Sequence, residues 1–290
     1  MLFHLHTMKV FQTVHELQKH LLEVNMQHQK KVGFVPTMGA LHEGHLSLIQ
    51  ASKSKTDITV CSVFVNPTQF NDKKDYDKYP LQIDKDLEML LHVGCDVAFV
   101  PTVEEIYPNG TLEKTGVSLG FIGKTLDASH RSGHFEGVLQ VVKRLLDIVQ
   151  PDVLFLGQKD YQQYMVLSRL VEHYQLPLKI EICPTLREID GLAMSSRNMR
   201  LSPTERIAAT KLSQAIFHLK NEIKTQTIPS LIEDQIKLLQ QDELIKVDYL
   251  TVVNGANLKP IKKYIPNLPI TILIAANVGE IRLIDNVIVQ

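Results

Sequence analysis

The sequence predicts an α/β chain built on a doubly wound parallel sheet, followed by a smaller C-terminal α+β domain. Three observations carry that prediction. Short, wholly apolar segments such as Val32-Gly33-Phe34-Val35 and Ile58-Thr59-Val60-Cys61-Ser62-Val63-Phe64-Val65 recur, as expected of strands covered on both faces. Strand-like and helix-like segments alternate up to about residue 185, the rhythm of parallel strands joined by crossover helices. Beyond that point two helical stretches precede three strand-like ones without alternation. The expected domains are therefore 1–185 and 186–290.

In chain order, residues 1–7 read as a ragged start, with Met8 a second candidate for the first residue. Thr13 and Glu16 have capping-box spacing, and Val14, Leu17, Leu21 and Val24 line one face of the helix that follows. Lys31 ends it. The first strand occupies 32–35 and is expected to stop at Pro36, which cannot donate to a central ladder. Leu46, Leu48 and Ile49 mark a helix from His45, and a strand follows at 58–65. The charged run from Asn71 to Lys78 reads as solvated surface. A helix near 81–92 is stopped by Gly94; strands at 97–100, 153–156 and 178–183 then alternate with helices at 135–149 and 160–174. In the second domain Ser202-Pro203-Thr204-Glu205 combines an N-cap, a proline at the first helical position and a capping-box acid. That helix runs to about 223, a second occupies 229–240, and strands follow at 246–253, 270–276 and 281–289.

Composition narrows the function. Hydrophobic residues make up 44% and charged residues 22% of the 290, ordinary globular usage that excludes a disordered or coiled-coil chain. Lys+Arg 31 against Asp+Glu 32 leaves a net charge of -1, which argues against a nucleic-acid partner. The longest apolar stretch, Ile270 to Val278, is too short to span a bilayer, so no membrane role is expected. The N-terminus shows no export signal, and Cys61, Cys95 and Cys183 form no disulfide or zinc pattern. A reducing cytoplasm fits, with the cysteines as small hydrophobes.

Five segments carry chemistry. Pro36-Thr37-Met38-Gly39-Ala40-Leu41-His42-Glu43-Gly44-His45 lies between a strand and a helix, where a doubly wound sheet places ligands. A helix N-terminus offers N–H groups and a positive dipole end to phosphate, and imidazoles at i and i+3 share a face. The sharp reading is the His-x-Gly-His nucleotide site of adenylate-forming transferases; the spacing does not suit a His-Glu-x-x-His zinc site. Val65-Asn66-Pro67-Thr68-Gln69-Phe70 ends the next strand, and Gln69 offers a donor and an acceptor to a hydroxy acid. Gly157-Gln158-Lys159-Asp160 opens another helix after a strand, with Lys159 a point charge for phosphate and Gln163 one turn on. Met194-Ser195-Ser196-Arg197 reads as a flexible donor-rich loop, in placement and chemistry like the Lys-Met-Ser-Lys-Ser loop of class I aminoacyl-tRNA synthetases. Arg131-Ser132-Gly133-His134-Phe135-Glu136-Gly137 has the glycines and basic groups of a phosphate-facing turn.

In this order the segments resemble the pantoate–β-alanine ligase family, through PTMGALHEGH, FVNPTQF, RSGHFEGV, GQKDYQQ and REIDGLAMSSRN, over essentially the whole chain from Met8. The resemblance implies a Rossmann-like fold of the His-x-Gly-His superfamily. It implies ATP-dependent condensation of pantoate with β-alanine through pantoyl adenylate, with Mg²⁺ on the ATP phosphates, no protein metal site, and a cytoplasmic homodimer. It implies catalytic roles for His42, His45, Lys159 and Arg197. The ATP site would comprise Met38, Gly39, Ala40, Leu41, His42, Glu43, Gly44 and His45, then Gly157, Gln158, Lys159 and Asp160, then Leu186 and Met194, Ser195, Ser196 and Arg197. Gln69 and Gln163 would hold pantoate, with Gln69 also near β-alanine. One departure stands out: the family usually has Glu where this chain has Gln158. Two alternatives stay open, another enzyme of the same superfamily and a non-catalytic nucleotide sensor.

Overall fold

The computed structural model describes residues 7–70, 76–110 and 114–289. Residues 1–6 of the expected ragged start and 71–75 of the charged run lie outside them. The chain divides into two compact units. The first comprises Met1–Ser118, Arg131–Gly157 and Val166–Pro184; the second comprises Leu119–His130, Gln158–Met165 and Thr185–Gln290.

The first unit carries a six-stranded sheet in the order β1-β4-β3-β2-β5-β6. Its strands are β1 (Lys9–Phe11), β2 (Val32–Thr37), β3 (Ile58–Val63), β4 (Val97–Phe99), β5 (Val153–Gly157) and β6 (Lys179–Cys183). Every pairing is parallel. Helices α1 (Val14–His28), α2 (Glu43–Lys55), α3 (Ile83–Val93), α4 (Val103–Ile106) and α6 (His134–Val149) belong to this unit. The chain runs outward from β2 through β3 to β4, then returns to β5 on the other side of β2. The topological switch point therefore lies between β2 and β5, the place where such sheets bind ligands. The core between sheet and helices is apolar: Phe34, Phe99, Leu154 and Phe155 are fully buried.

Besides the end of β3 at Val63 rather than Val65 and the unexpected short helix α4, two features of the sheet depart from the sequence expectation. Strand β1 was not expected; three residues are too few to show a period, and it exists through its parallel pairing with β4. Strand β2 does not stop at Pro36 but continues to Thr37, with Pro36 opposite Ser62 on β3. The β5 register extends only over Gly33 and Phe34, so Pro36 has one neighbouring ladder and its missing N–H costs little. The cysteines are buried in this unit, Cys61 within β3, Cys95 just before β4 and Cys183 at the end of β6. Burial pushes the Cys95 thiol up to about 12, which leaves it protonated and unreactive.

The second unit packs α8 (Pro203–Glu222) and α9 (Ile228–Leu239) on an antiparallel sheet of β7 (Ile245–Asn254), β8 (Ile270–Val278) and β9 (Ile281–Val289). The capping box is present at the start of α8: Glu205 N–H donates to Ser202 Oγ, and Glu205 Oε2 accepts from Ser202 N–H at 2.8 Å. Leu212, Ile216 and Leu219 of α8 join Ile272, Ile274 and Ala276 of β8 in one core.

This unit also takes in 119–130, with α5 (Asp127–His130), and 158–165, the start of α7 (Tyr161–His173). The sequence reading placed both segments with the first domain. Long-range polar pairing draws them over. Arg282 bridges Asp127 at 2.6 Å and Asp248 at 2.8 Å. Gln162 accepts from the Asp127 N–H and donates to the carbonyls of Ile122 and Thr125. No helix among the described residues is long and apolar enough to cross a membrane.

Candidate active site

In the first unit, the turn from β2 into α2 is built around a buried carboxylate. Asp86, on α3 and 1% exposed, accepts from the backbone N–H groups of Ala40 at 2.9 Å and Leu41 at 2.8 Å. Burial pushes its carboxyl above the usual range, and the two N–H bonds oppose that shift. Gly39 has φ +77°, and a Cβ there would come within 2.8 Å of Asp86 Oδ2; glycine meets both constraints. Thr37 donates through Oγ1 to the Ser62 carbonyl at 2.7 Å, closing the turn from β2. The N–H groups of Ala40 and Leu41 thus point inward. The part of the turn that is partly exposed runs from His42, the N-cap of α2, to His45. The two imidazoles come together as the i, i+3 spacing predicts, with ring centroids 4.0 Å apart and planes inclined by 32°.

Gln69 sits beside this turn. Its Nε2 donates to Met38 Sδ at 2.7 Å, and its Oε1 accepts from Asn66 Nδ2 at 3.2 Å. Asn66, 1% exposed, also donates to the Gly137 carbonyl and accepts from the Tyr107 hydroxyl at 2.7 Å. In the segment 131–137 one of the basic groups, His134, is turned inward. His134 is buried, donates through Nδ1 to the Gln69 carbonyl at 2.8 Å and accepts at Nε2 from Arg131 at 2.8 Å. The ring thus supports the backbone of Gln69.

Gly137 leaves no space for a side chain: a Cβ would overlap the Thr68 carbonyl and approach Gln69 Cα to 2.8 Å. Gly137→Ala must therefore push α6 away from the 67–69 turn. The expected cost is about 1–3 kcal/mol of stability, as for overpacked cores. An unchanged urea midpoint would contradict the close contact.

In the second unit, Gln158, Lys159 and Asp160 form one 3₁₀ turn, while Gly157 closes β5 in the first unit. Lys159 Nζ lies 3.6 Å from Asp160 Oδ1. Gln163 is partly exposed on the first turn of α7, next to the buried Gln162. Residues 186–194 form a narrow ribbon: Arg187 bridges Ala193, Glu188 N–H donates to the Leu192 carbonyl, and Met194 N–H donates to the Leu186 carbonyl. Ser195 then caps the next 3₁₀ turn by accepting from the Arg197 N–H. The loop read as flexible is thus tied by hydrogen bonds on both sides of Met194.

Arg206 lies 3.0 Å from Glu188 and 2.9 Å from Asp190. Its hydrogen bond to Glu188 holds that carboxyl below the usual range, aided by Asn198. A carboxyl depressed in the folded state stabilises above its unfolded value and loses that contribution as pH falls. The ribbon is expected to be fully protected at neutral pH and to loosen below about pH 4, the ordinary Glu value. Amide exchange at 187–194 reads this directly, and Glu188→Gln should flatten the dependence.

The expected site residues thus form two groups, one in each unit. The first unit holds Met38 to His45, Gln69 and Gly157; the second holds Gln158 to Asp160, Gln163, Leu186 and Met194 to Arg197. Sequence reasoning missed Asp86, Tyr107, Asp285 and Asn286, whose partners are distant in the chain. No local pattern marks them.

The pattern of the family described as pantoate-beta-alanine ligase matches residues 9–288. The pantothenate synthetase of Thermosipho africanus is 42% identical over 283 residues, covering 97% of this chain and 100% of its own. A crystal structure of pantothenate synthetase from Thermus thermophilus superposes with a TM-score of 0.90 at 37% identity, covering 97% and 99% of the two chains. That of the Francisella tularensis ligase, complexed with beta-gamma ATP and beta-alanine, gives a TM-score of 0.79 at 36% identity, covering 97% of each. With these near full-length likenesses, the chain belongs to the pantoate–beta-alanine ligase family of enzymes, the pantothenate synthetases.

Proposed function

We propose that this chain makes pantothenate from pantoate and β-alanine, with ATP cleaved to AMP and pyrophosphate. The observation that carries the reading is the His42–His45 pair at the N-terminal turn of α2, in a chain of this family. In the first step a pantoate carboxylate oxygen bonds to the α-phosphorus and the bond from that phosphorus to pyrophosphate breaks. Charge grows on the leaving oxygens, where imidazoles and a helix N-terminus offset it. His42 and His45 take the phosphates, with His45 as proton donor. In the second step the β-alanine amine attacks the acyl carbon, AMP leaves with the carboxyl oxygen, and the nitrogen gives up a proton.

Met38 to His45 bind the nucleotide in this reading. Gly39, Ala40 and Leu41, buried in the turn, act through its shape. Gly157 to Asp160, Leu186 and Met194 to Arg197 complete the ATP site, with Lys159 and Arg197 on phosphate. Gln69 and Gln163 hold pantoate, and Gln69 also faces β-alanine. The ATP and β-alanine of the Francisella complex support the substrate set. Mg²⁺ is proposed to enter on the ATP phosphates, where it offsets their charge. Among the described residues no group of three or more His, Cys, Asp or Glu is placed to hold a metal, so phosphate and water oxygens would supply its ligands. A cytoplasmic homodimer belongs to the same proposal by family likeness.

The direct test is AMP and pantothenate formation from ATP, pantoate and β-alanine; folded protein that forms neither would overturn the reading. The division of labour has its own check. Gln69→Ala and Gln163→Ala are expected to raise the pantoate KM much more than the ATP KM, because a neutral carboxamide suits a hydroxy acid better than a polyphosphate. Equal rises would contradict it.

A further inference from the structure

We propose that Asp285 and Asn286 on β9 are positioning residues for the nucleotide, holding the turn that presents Lys159 and the ribbon that carries Met194 to Arg197. The inference rests on the reading of Lys159 and Arg197 as ATP ligands, and it adds to that reading how the two segments are fixed within the second unit.

Asn286 is 1% exposed. Its Nδ2 donates to two backbone carbonyls, Gln158 at 2.9 Å and Lys159 at 2.8 Å. Only an NH₂ group can serve two carbonyls, so the carboxamide has one possible orientation. Its Oδ1 then accepts from Gln158 Nε2 at 3.0 Å. The backbone of Lys159 is thereby fixed at its own carbonyl. This also gives Gln158 a purpose that the usual Glu could not serve in the same way: an ionised carboxylate has no hydrogen to donate to Asn286.

The preceding residue holds the other segment. Asp285, 4% exposed, takes the Arg187 guanidinium in a two-pronged contact at 2.7 and 2.9 Å. Arg187 also donates to the Gly191 carbonyl at 3.0 Å, and its guanidinium lies 4.8 Å from the centre of the Phe217 ring. Arg187 and Ala193 bridge across the ribbon, so this anchor is one residue from Met194. Asp285 Oδ1 in addition accepts from the Asn286 N–H at 2.7 Å, joining the two anchors. Successive strand residues face opposite ways; Asp285 shares a face with the apolar Leu283 and Val287, and Asn286 lies on the other. A buried ion pair on an apolar face adds little net stability over hydrophobic packing. What it does supply is fixed direction.

The experiment uses the full chain and variants Asn286→Ala, Asp285→Asn and Gln158→Ala. It measures ATP–pyrophosphate exchange against ATP and against pantoate, ATP affinity by calorimetry, and folding by circular dichroism. Asn286→Ala is expected to lower exchange at limiting ATP by about 10²-fold, the cost of an ångström of misplacement. The pantoate KM should stay within about twofold, a split that general loosening would not produce. Gln158→Ala should show the same split more weakly, and Asp285→Asn should show it with ATP affinity reduced. If Asn286→Ala fails to fold, the other two variants carry the comparison. Equal changes for both substrates, or no change in folded variants, would overturn the proposal. Wild-type protein that folds and binds ATP but shows no pantoate-dependent exchange would overturn the functional reading instead. In that case equal ATP affinities in wild type and Asn286→Ala would overturn the positioning role as well.

Discussion

Replacing His45 by alanine is expected to slow ATP–pyrophosphate exchange by roughly 10²–10³, the usual cost of removing one donor aimed at transition-state charge. The fold should survive the change. His45 is partly exposed on the first turn of α2, its ring lies tilted against that of His42, and alanine is a good helix former. Thermal melting within about 2 °C of wild type, together with collapsed exchange, is the expected result; shifts of that size correspond to about 1 kcal/mol in a chain this long. His42→Ala should also impair exchange, since both rings meet the same small volume. Near wild-type exchange in His45→Ala would remove the histidine from the chemistry.

The second large effect is expected at Asp86, which touches no proposed substrate. Asp86→Ala abandons two buried N–H groups, those of Ala40 and Leu41, at about 1–3 kcal/mol for each unsatisfied donor. It also releases the turn that sets His42 and His45, and a misplacement of about 1 Å there is enough for a loss near 10²-fold in rate. Stability and exchange should therefore fall together. Asp86→Asn keeps one carbonyl oxygen and can serve one of the two donors, so it should lie between alanine and wild type in both measurements. An alanine variant with full exchange and an unchanged denaturation midpoint would show that the carboxylate is dispensable to the turn.

Much of the fold was legible because it is written locally. Unbroken apolar runs marked β2, β3 and β5 as strands buried on both faces, and their alternation with helical periods implied the parallel sheet observed. Capping chemistry placed the start of α8 at Pro203. The histidine pair was legible as well, since a spacing of three on a helix dictates proximity whatever surrounds it.

The supports of those residues were not legible, and for one reason. Asp86 is 46 residues from Ala40 in the chain, and Asn286 is 128 from Gln158; each looks locally like an ordinary polar residue of a helix or strand. Pro36 shows the same limit in reverse: a rule about local ladders stopped β2 early, although the neighbouring strand pairs only at Gly33 and Phe34. The grouping of 119–130 and 158–165 with the second unit likewise depends on Arg282, Gln162 and Asn286 finding distant partners. By itself, then, the sequence determined every strand of the parallel sheet but β1, the longer helices and the proximity of the two histidines, because period and spacing act over one or two turns of chain. Only the tertiary structure decided what holds those side chains in place, because a buried polar group must take its partner from whatever the folded chain brings within about 3 Å.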